Sequence, residues 1–283
     1  SHIDSIGTSY FQNAYNEIES MLKGDSPLNL GRAVFLTENA YYENKYDYNE
    51  FQNAIQEKIR LINLKIDEEK HDKNSNLVKN MMLFRLLSDT LRIKDKKHKQ
   101  ILTHLPIKYN LEDYQSKISF DSHFVTKLMQ TGKGQCYSMP LYYLILAEEL
   151  GANAYWSFSP KHSFVKIQDD ENRWFNIELT CKAILSDAHY MNTSFIKAEA
   201  IRNRIYLEPL DKTNVIANML LELARGYFDK HGYDYFYLKC VDTALQYSQN
   251  NVDALILKSV YQTRLTLLLG HLLNAPIPEI TKQ

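Results

Sequence analysis

Residues 131–180 constrain the fold of this chain more than any other stretch. The stretch begins with two closely spaced glycines, Gly132 and Gly134, which suit a tight turn. The turn delivers Cys136 to the start of an apolar run that has helical spacing and stops at a glycine, as helices commonly do. Pro140 fits that run only within the first turn of a helix, because proline breaks a helix interior. The sequence therefore predicts that Cys136 lies at or near a helix N-terminus.

This position has a chemical consequence, because unpaired N–H groups and the helix dipole help a thiol to ionise there. Two β-like runs follow it, residues 162–167 and 173–178, with a polar turn between them. A hairpin of these runs can place His162 opposite the second strand. Asn176 and Glu178 are two residues apart, so both point to one face of that strand. A thiol, an imidazole and an orienting polar side chain form a nucleophilic triad.

The order of these groups resembles the transglutaminase-like core of the papain-like cysteine enzymes. The chain has Gly-x-Cys at a helix start, then a His that opens a strand, then Trp174-x-x-x-Glu178-x-Thr180. The family has Asp where this chain has Glu178, so the carboxyl group here is carried on a longer arm. The resemblance covers residues 125–180, and it implies an antiparallel sheet with one helix that carries the nucleophile.

The resemblance also implies roles for individual residues. Cys136 would be the nucleophile, His162 the base and Glu178 the residue that orients the imidazole. Asn176 is the rival orienting residue, since some papain-like enzymes use Asn in that role. We also consider that Cys136 is a buried structural thiol, which is a common role for a lone cysteine.

Four further residues are candidates for contacts with a substrate. Gln135 and Ser138 flank the nucleophile, and either side chain is a candidate oxyanion donor. The backbone N–H of Cys136 is the favoured donor, because a helix N-terminus already supplies such groups. Trp156 and Trp174 either wall a substrate groove or belong to the core of a small sheet.

Composition excludes several classes of protein. The formal charge of −1 argues against a nucleic-acid partner, and no apolar run is long enough to span a bilayer. The three cysteines lie too far apart for a disulfide framework or a metal cluster, and the histidines show no metal-ligand spacing, so we expect no metal and no cofactor. The chain lacks an initial Met, which a removed export signal or a domain boundary would explain. An exported location is therefore favoured over the cytoplasm.

We expect an α+β fold in three parts. Residues 1–100 form a helical part, 101–212 a transglutaminase-like core and 213–283 a helical tail. Apolar spacing predicts helices over 10–22, 30–42, 48–66, 77–93, 214–229 and 233–248, with another beginning at 252. Asn29 and Asp47 are expected helix caps, and residues 94–99 an exposed basic loop. The tail loosely resembles tetratricopeptide helices, which would pack on the core or cap a partial array.

These observations favour a thiol-dependent enzyme that attacks an amide carbonyl of a peptide or of a peptidoglycan-like substrate and forms a thioester intermediate. The rival hypothesis is a binding module that keeps the fold without activity and holds a protein partner through its helical tail. A third hypothesis is a structural subunit of a cell-surface assembly.

Overall fold

The N-terminal part of the computed structural model, which describes residues 5–272, is mainly helical. Its helices are α1 (Ser5–Lys23), α2 (Leu30–Tyr41), α3 (Tyr48–Glu69) and α4 (Asn76–Ser88). The two predicted caps are confirmed. The Asn29 side chain accepts a hydrogen bond from the backbone N–H of Arg32, and Asp47 accepts from Asn49 and Glu50.

The segment after α4 is a β-hairpin rather than the helical continuation that we predicted as far as Ile93. Strands β1 (Leu91–Asp95) and β2 (Gln100–His104) pair antiparallel, and the basic loop contains the turn between them. Burial alternates along β1, with Leu91, Ile93 and Asp95 inward. The apolar residues of this segment fit the spacing of a helix as well as that of a strand, so packing decides which of the two forms. The first 100 residues are therefore not all helical.

The central part combines helices with an antiparallel sheet, which confirms the α+β class. Its elements are β3 (Lys108–Tyr109), the short 3-10 helix Phe120–His123, α5 (Val125–Thr131), β4 (Lys133–Gly134), α6 (Ser138–Leu150), β5 (Ala154–Ser159), β6 (His162–Gln168), β7 (Trp174–Glu178) and β8 (Ala183–Leu185). Strands β5 to β8 form one sheet in chain order, and β3 pairs in parallel with β4. The two expected strands are confirmed as β6 and β7, whereas β5 and β8 were not predicted.

The register of the sheet places His162 at one end. The pairing of β6 with β7 runs from Gln168 opposite Trp174 to Val165 opposite Ile177, and it stops there. His162 instead pairs with Ser159 of β5. His162 therefore lies beyond the paired end of β7, at the first residue of β6.

Five helices follow the sheet in the described part of the chain. They are α7 (Asp187–Thr193), α8 (Ala198–Arg202), α9 (Lys212–His231), α10 (Tyr235–Tyr247) and α11 (Val252–Leu272). Helix α9 packs against α1, α2 and α10. One apolar cluster includes Phe11 of α1, Leu141 of α6 and Leu220 of α9, so the core crosses both predicted domain boundaries. Residues 1–4 and 273–283 of the predicted parts lie outside the described residues.

None of the described helices is long and apolar enough to cross a membrane.

Candidate active site

Cys136 occupies the short connection between β4 and α6, just before the first helical turn. Gly132 ends α5 with a left-handed φ of +68°. Gly134 allows a close approach, because a Cβ there would lie 2.3 Å from Leu128 and 2.8 Å from Met139. The two glycines therefore let the chain turn tightly enough to present a half-buried thiol at the start of α6.

The connection that carries Cys136 is attached directly to the sheet. The Ser163 hydroxyl of β6 donates a hydrogen bond to the carbonyl oxygen of Cys136 at 2.5 Å, and Ser163 is buried. Since His162 precedes Ser163 in β6, this bond holds the connection that carries Cys136 at the end of the strand where His162 lies.

His162 interacts with both other members of the predicted triad. Its Nε2 lies 2.6 Å from Oε2 of Glu178. Burial acts to lower the pKa of His162, but hydrogen bonds with Cys136 and Glu178 outweigh burial and raise it to about 9. Because Nε2 is engaged by the carboxylate, Nδ1 is the ring nitrogen left for the thiol.

Glu178 is buried and all its contacts orient it toward the imidazole. Oε1 accepts from the backbone N–H and the hydroxyl of Thr180 at 3.0 and 2.6 Å, and Oε2 also accepts from the Tyr190 hydroxyl at 2.9 Å. Burial acts to raise the pKa of Glu178, but the bonds from His162 and Thr180 outweigh it and hold the pKa below its usual value. The glutamate arm therefore spans the distance to His162 in this fold.

Asn176, the rival orienting residue, is engaged elsewhere. Its side-chain amide donates to Oδ1 of Asp187 at 2.8 Å, and the same carboxylate is paired with Lys166. Residues two apart on a strand are separated by roughly 6.6 Å, so only one of Asn176 and Glu178 reaches a given ring. The structure gives that place to Glu178.

The two predicted oxyanion side chains point inward and hold the connection that carries Cys136. Gln135 is buried, its Nε2 donates to the carbonyl of Asp113, and its Oε1 accepts from the Ser116 hydroxyl at 3.2 Å. Ser138 is fully buried, and its hydroxyl accepts from the backbone N–H of Gln135 at 3.0 Å. The backbone N–H of Cys136 stays the predicted oxyanion donor.

The two tryptophans do not line the thiol. Trp156 is fully buried and packs edge-on against Tyr137, with 5.1 Å between ring centroids, so it belongs to the core. Trp174 is exposed but pairs with Gln168, at the end of the β6–β7 pair remote from His162. The groove expected from these residues is therefore not formed by them.

Two tyrosines that the sequence did not single out lie close to the triad. Tyr190 bonds Glu178, and its ring stacks on Phe164 at 4.0 Å and lies 6.4 Å from the His162 ring. Tyr109 pairs with Gly134; burial raises its pKa, and so does its electrostatic interaction with Cys136. Both come from segments outside residues 125–180, so no local spacing could have identified them.

The described part of the chain contains no group of three or more His, Cys, Asp or Glu side chains placed to hold a metal ion.

Comparison with known proteins adds no relative: no protein-family model, no curated protein and no solved structure matches the chain.

Proposed function

We propose that this protein is a thiol-dependent acyl-transfer enzyme or hydrolase with a transglutaminase-like core, and that it acts on an amide of a peptide or of a peptidoglycan-like substrate. Cys136 is the nucleophile, His162 the general base and acid, and Glu178 the orienting residue. The observation that carries the proposal is the position of His162, whose Nε2 lies 2.6 Å from the buried Glu178 carboxylate and whose pKa is raised by both Cys136 and Glu178.

The chemistry follows from that arrangement. His162 takes the thiol proton, and the Cys136 sulfur attacks the carbonyl carbon to form a tetrahedral oxyanion. The backbone N–H at the start of α6 binds the oxyanion. The imidazolium then protonates the leaving amine, and a thioester remains. Water or an amine, deprotonated by His162, attacks the thioester and releases the product and the thiol.

Electrostatics support the first step. Glu178 favours the imidazolium form of His162, since it bonds that ring while three other donors keep the carboxylate ionised. A protonated imidazole beside a sulfur in turn favours the thiolate, which is the reactive form.

Selective alkylation tests the proposal. Cys136 should react with iodoacetamide at neutral pH faster than the exposed Cys181, although it is less accessible, and the buried Cys240 should stay unmodified. Mass spectrometry of the modified peptides reports all three sites in one experiment. Cys136→Ser should abolish the fast phase and leave the circular dichroism spectrum unchanged. Slower reaction at Cys136 than at Cys181 would favour the binding-module hypothesis instead.

A further inference from the structure

The loop formed by residues 110–119, which we call the Asp113 loop, exposes large apolar side chains. Leu111 and Ile118 are each 79% exposed and Tyr114 is 53% exposed. Apolar residues scattered singly on a surface are common, but three large ones on one ten-residue loop are a local concentration of exposed apolar side chains. The loop connects β3 to the short 3-10 helix that precedes α5.

The Asp113 loop is held in shape by polar contacts and not by the burial of these apolar residues. The buried Asp113 carboxylate accepts hydrogen bonds from the backbone N–H groups of Lys117, Ile118 and Ser119 at 2.7, 3.1 and 3.0 Å. It also accepts from the Ser122 hydroxyl at 2.7 Å. One inward carboxylate therefore fixes the backbone while leaving the apolar side chains in solvent.

The same loop is attached to the two residues that precede the nucleophile. The backbone N–H of Asn110 donates to the carbonyl of Gly134 at 2.7 Å. The Gln135 side chain bonds the loop at the Asp113 carbonyl and at the Ser116 hydroxyl. The exposed apolar surface is thus built onto the backbone that positions the thiol.

We propose that the Asp113 loop binds a bulky apolar side chain of a peptide substrate next to the amide that Cys136 attacks. This inference rests on the proposed thiol chemistry and names its substrate preference. Ordered loops beside a reactive group are where binding residues concentrate. Removing such side chains from water on contact with a substrate side chain supplies the binding energy, and a loop already held in shape loses little entropy on binding.

The charges on the loop favour a peptide over a lipid surface. Lys117 is a single base on the loop, and the acidic Glu112 is paired with Lys133 at 3.0 Å. Attachment to an anionic membrane surface uses clusters of basic residues, which this loop does not have. Polar residues also separate the three apolar ones, so the loop presents separate contacts for side chains.

Two small alkylating probes test the preference. Iodoacetyl-phenylalanine amide and iodoacetyl-glycine amide carry the same reactive group and differ in the apolar side chain. We expect the phenylalanine probe to alkylate Cys136 about tenfold faster, which corresponds to partial burial of one aromatic ring. Simultaneous substitution Leu111→Ser, Tyr114→Ser and Ile118→Ser should bring the two rates together, because the phenylalanine probe loses its apolar contact.

The control is Leu268→Ser, which removes a 56% exposed apolar residue from α11 and should leave the ratio of rates as in the parent. A ratio near one in the parent, or a ratio that the triple variant retains, overturns the inference while the thiol chemistry stands. Binding to phosphatidylglycerol vesicles that disappears in the triple variant would also overturn it, in favour of a lipid surface. Failure of both probes to modify Cys136 ahead of Cys181 would instead refute the proposed function.

Discussion

The single side chain that most determines the character of the site is Glu178. A glutamate stands where the resemblance led us to expect an aspartate, and its extra methylene is accommodated because His162 lies beyond the paired end of β7. Three donors other than the imidazole hold the carboxylate, from the backbone and hydroxyl of Thr180 and from Tyr190. Such a fully satisfied buried carboxylate keeps its charge, which is what stabilises an imidazolium.

The orienting role of Glu178 can be separated from that of Asn176 by alkylation kinetics. In Glu178→Gln the carboxylate that favours protonated His162 is lost, so the thiolate is less stabilised. We expect the iodoacetamide rate at Cys136 to fall about tenfold near pH 7, and its pH profile to move to higher pH. Asn176→Ala should leave the profile close to that of the parent, since Asn176 bonds Asp187 instead. A shift in Asn176→Ala with none in Glu178→Gln would reverse the assignment.

The raised pKa of His162 also predicts a pH dependence of stability. The folded pKa of about 9 lies above the usual value of 6.5, so the folded protein binds the proton more tightly than the unfolded chain does. This stabilisation is complete below about pH 6.5 and is lost as the pH rises through 9.

We expect the stabilisation by protonated His162 to contribute about 3 kcal/mol at most to the free energy of unfolding, because each pKa unit is worth about 1.4 kcal/mol. The measurement is urea denaturation of the parent and of His162→Gln between pH 6 and pH 10. The difference between their free energies of unfolding should shrink across this range. A constant difference would show that His162 is not paired as the structure has it.

At the level of helices and loops, a series of polar contacts connects α9 to Gln135, the residue before Cys136. Ser116 of the Asp113 loop bonds both Gln135 and Nδ1 of His123, each at 3.2 Å. Nε2 of His123 lies 3.1 Å from Glu222 of α9. Glu222 also pairs with Arg225, which in turn reaches Asp253 at the start of α11. The position of the loop beside Cys136 therefore depends on a helix far away in sequence.

Glu222 lies in the middle of this series of contacts and should contribute to stability. Burial acts to raise its pKa, but Arg225 and His123 outweigh burial and lower the pKa to about 2. Glu222→Gln leaves the Arg225 guanidinium without its buried counter-charge, and we expect a loss of about 3 kcal/mol at pH 7. Because the folded pKa is depressed, the loss should diminish as the pH falls from 4.5 toward 2.

Asp253→Asn is the matched control, since Asp253 is 57% exposed and pairs with the same arginine. An exposed ion pair is worth about 0–1 kcal/mol, so this variant should unfold close to the parent. Chemical denaturation of both variants is the measurement. Equal costs for the two substitutions would contradict the view that burial of Glu222 sets its contribution.

For the protein as a unit, α9 belongs to the common apolar core although it lies beyond the predicted boundary near residue 212. Leu220 and Leu223 of α9 are fully buried, in the same apolar cluster as Phe11. The end of α11 is different, since Leu268 and Leu272 are 56% and 71% exposed. Helix α9 is therefore part of the core, whereas the end of α11 is exposed.

This difference predicts the outcome of two truncations. Ending the chain after Arg264 removes the exposed end of α11, and the melting temperature should stay within a few degrees of the parent. Ending it after Asp211 removes α9 and leaves an apolar face uncovered, so the product should aggregate or lack cooperative unfolding. Expression of both, followed by thermal denaturation, is the measurement. A cooperative, soluble product that ends at Asp211 would show that the first two predicted parts fold without the tail.

Local signals in the sequence predicted much of this architecture. Period-3.6 spacing located α1 to α3, α9 and α10, since each of these helices buries one face. Asn29 and Asp47 located the starts of two helices, because an N-cap side chain bonds the first turn of its own helix. Period-two runs located β6 and β7. The same reasoning placed Cys136 before α6, since glycine and proline act on the backbone within a few residues of themselves.

What the sequence could not determine depends on contacts between distant segments. The hairpin of β1 and β2 replaces the end of a predicted helix. The apolar residues of this segment fit both a helix and a strand, and the strand forms because its alternate residues are buried against the rest of the fold. The choice of Glu178 over Asn176 required the register of β6 against β7, and neither Tyr190 nor the Asp113 loop carries any local mark of its place beside the site. Only the tertiary structure decides such pairings, because their energies come from burial and hydrogen bonds that exist once remote segments meet.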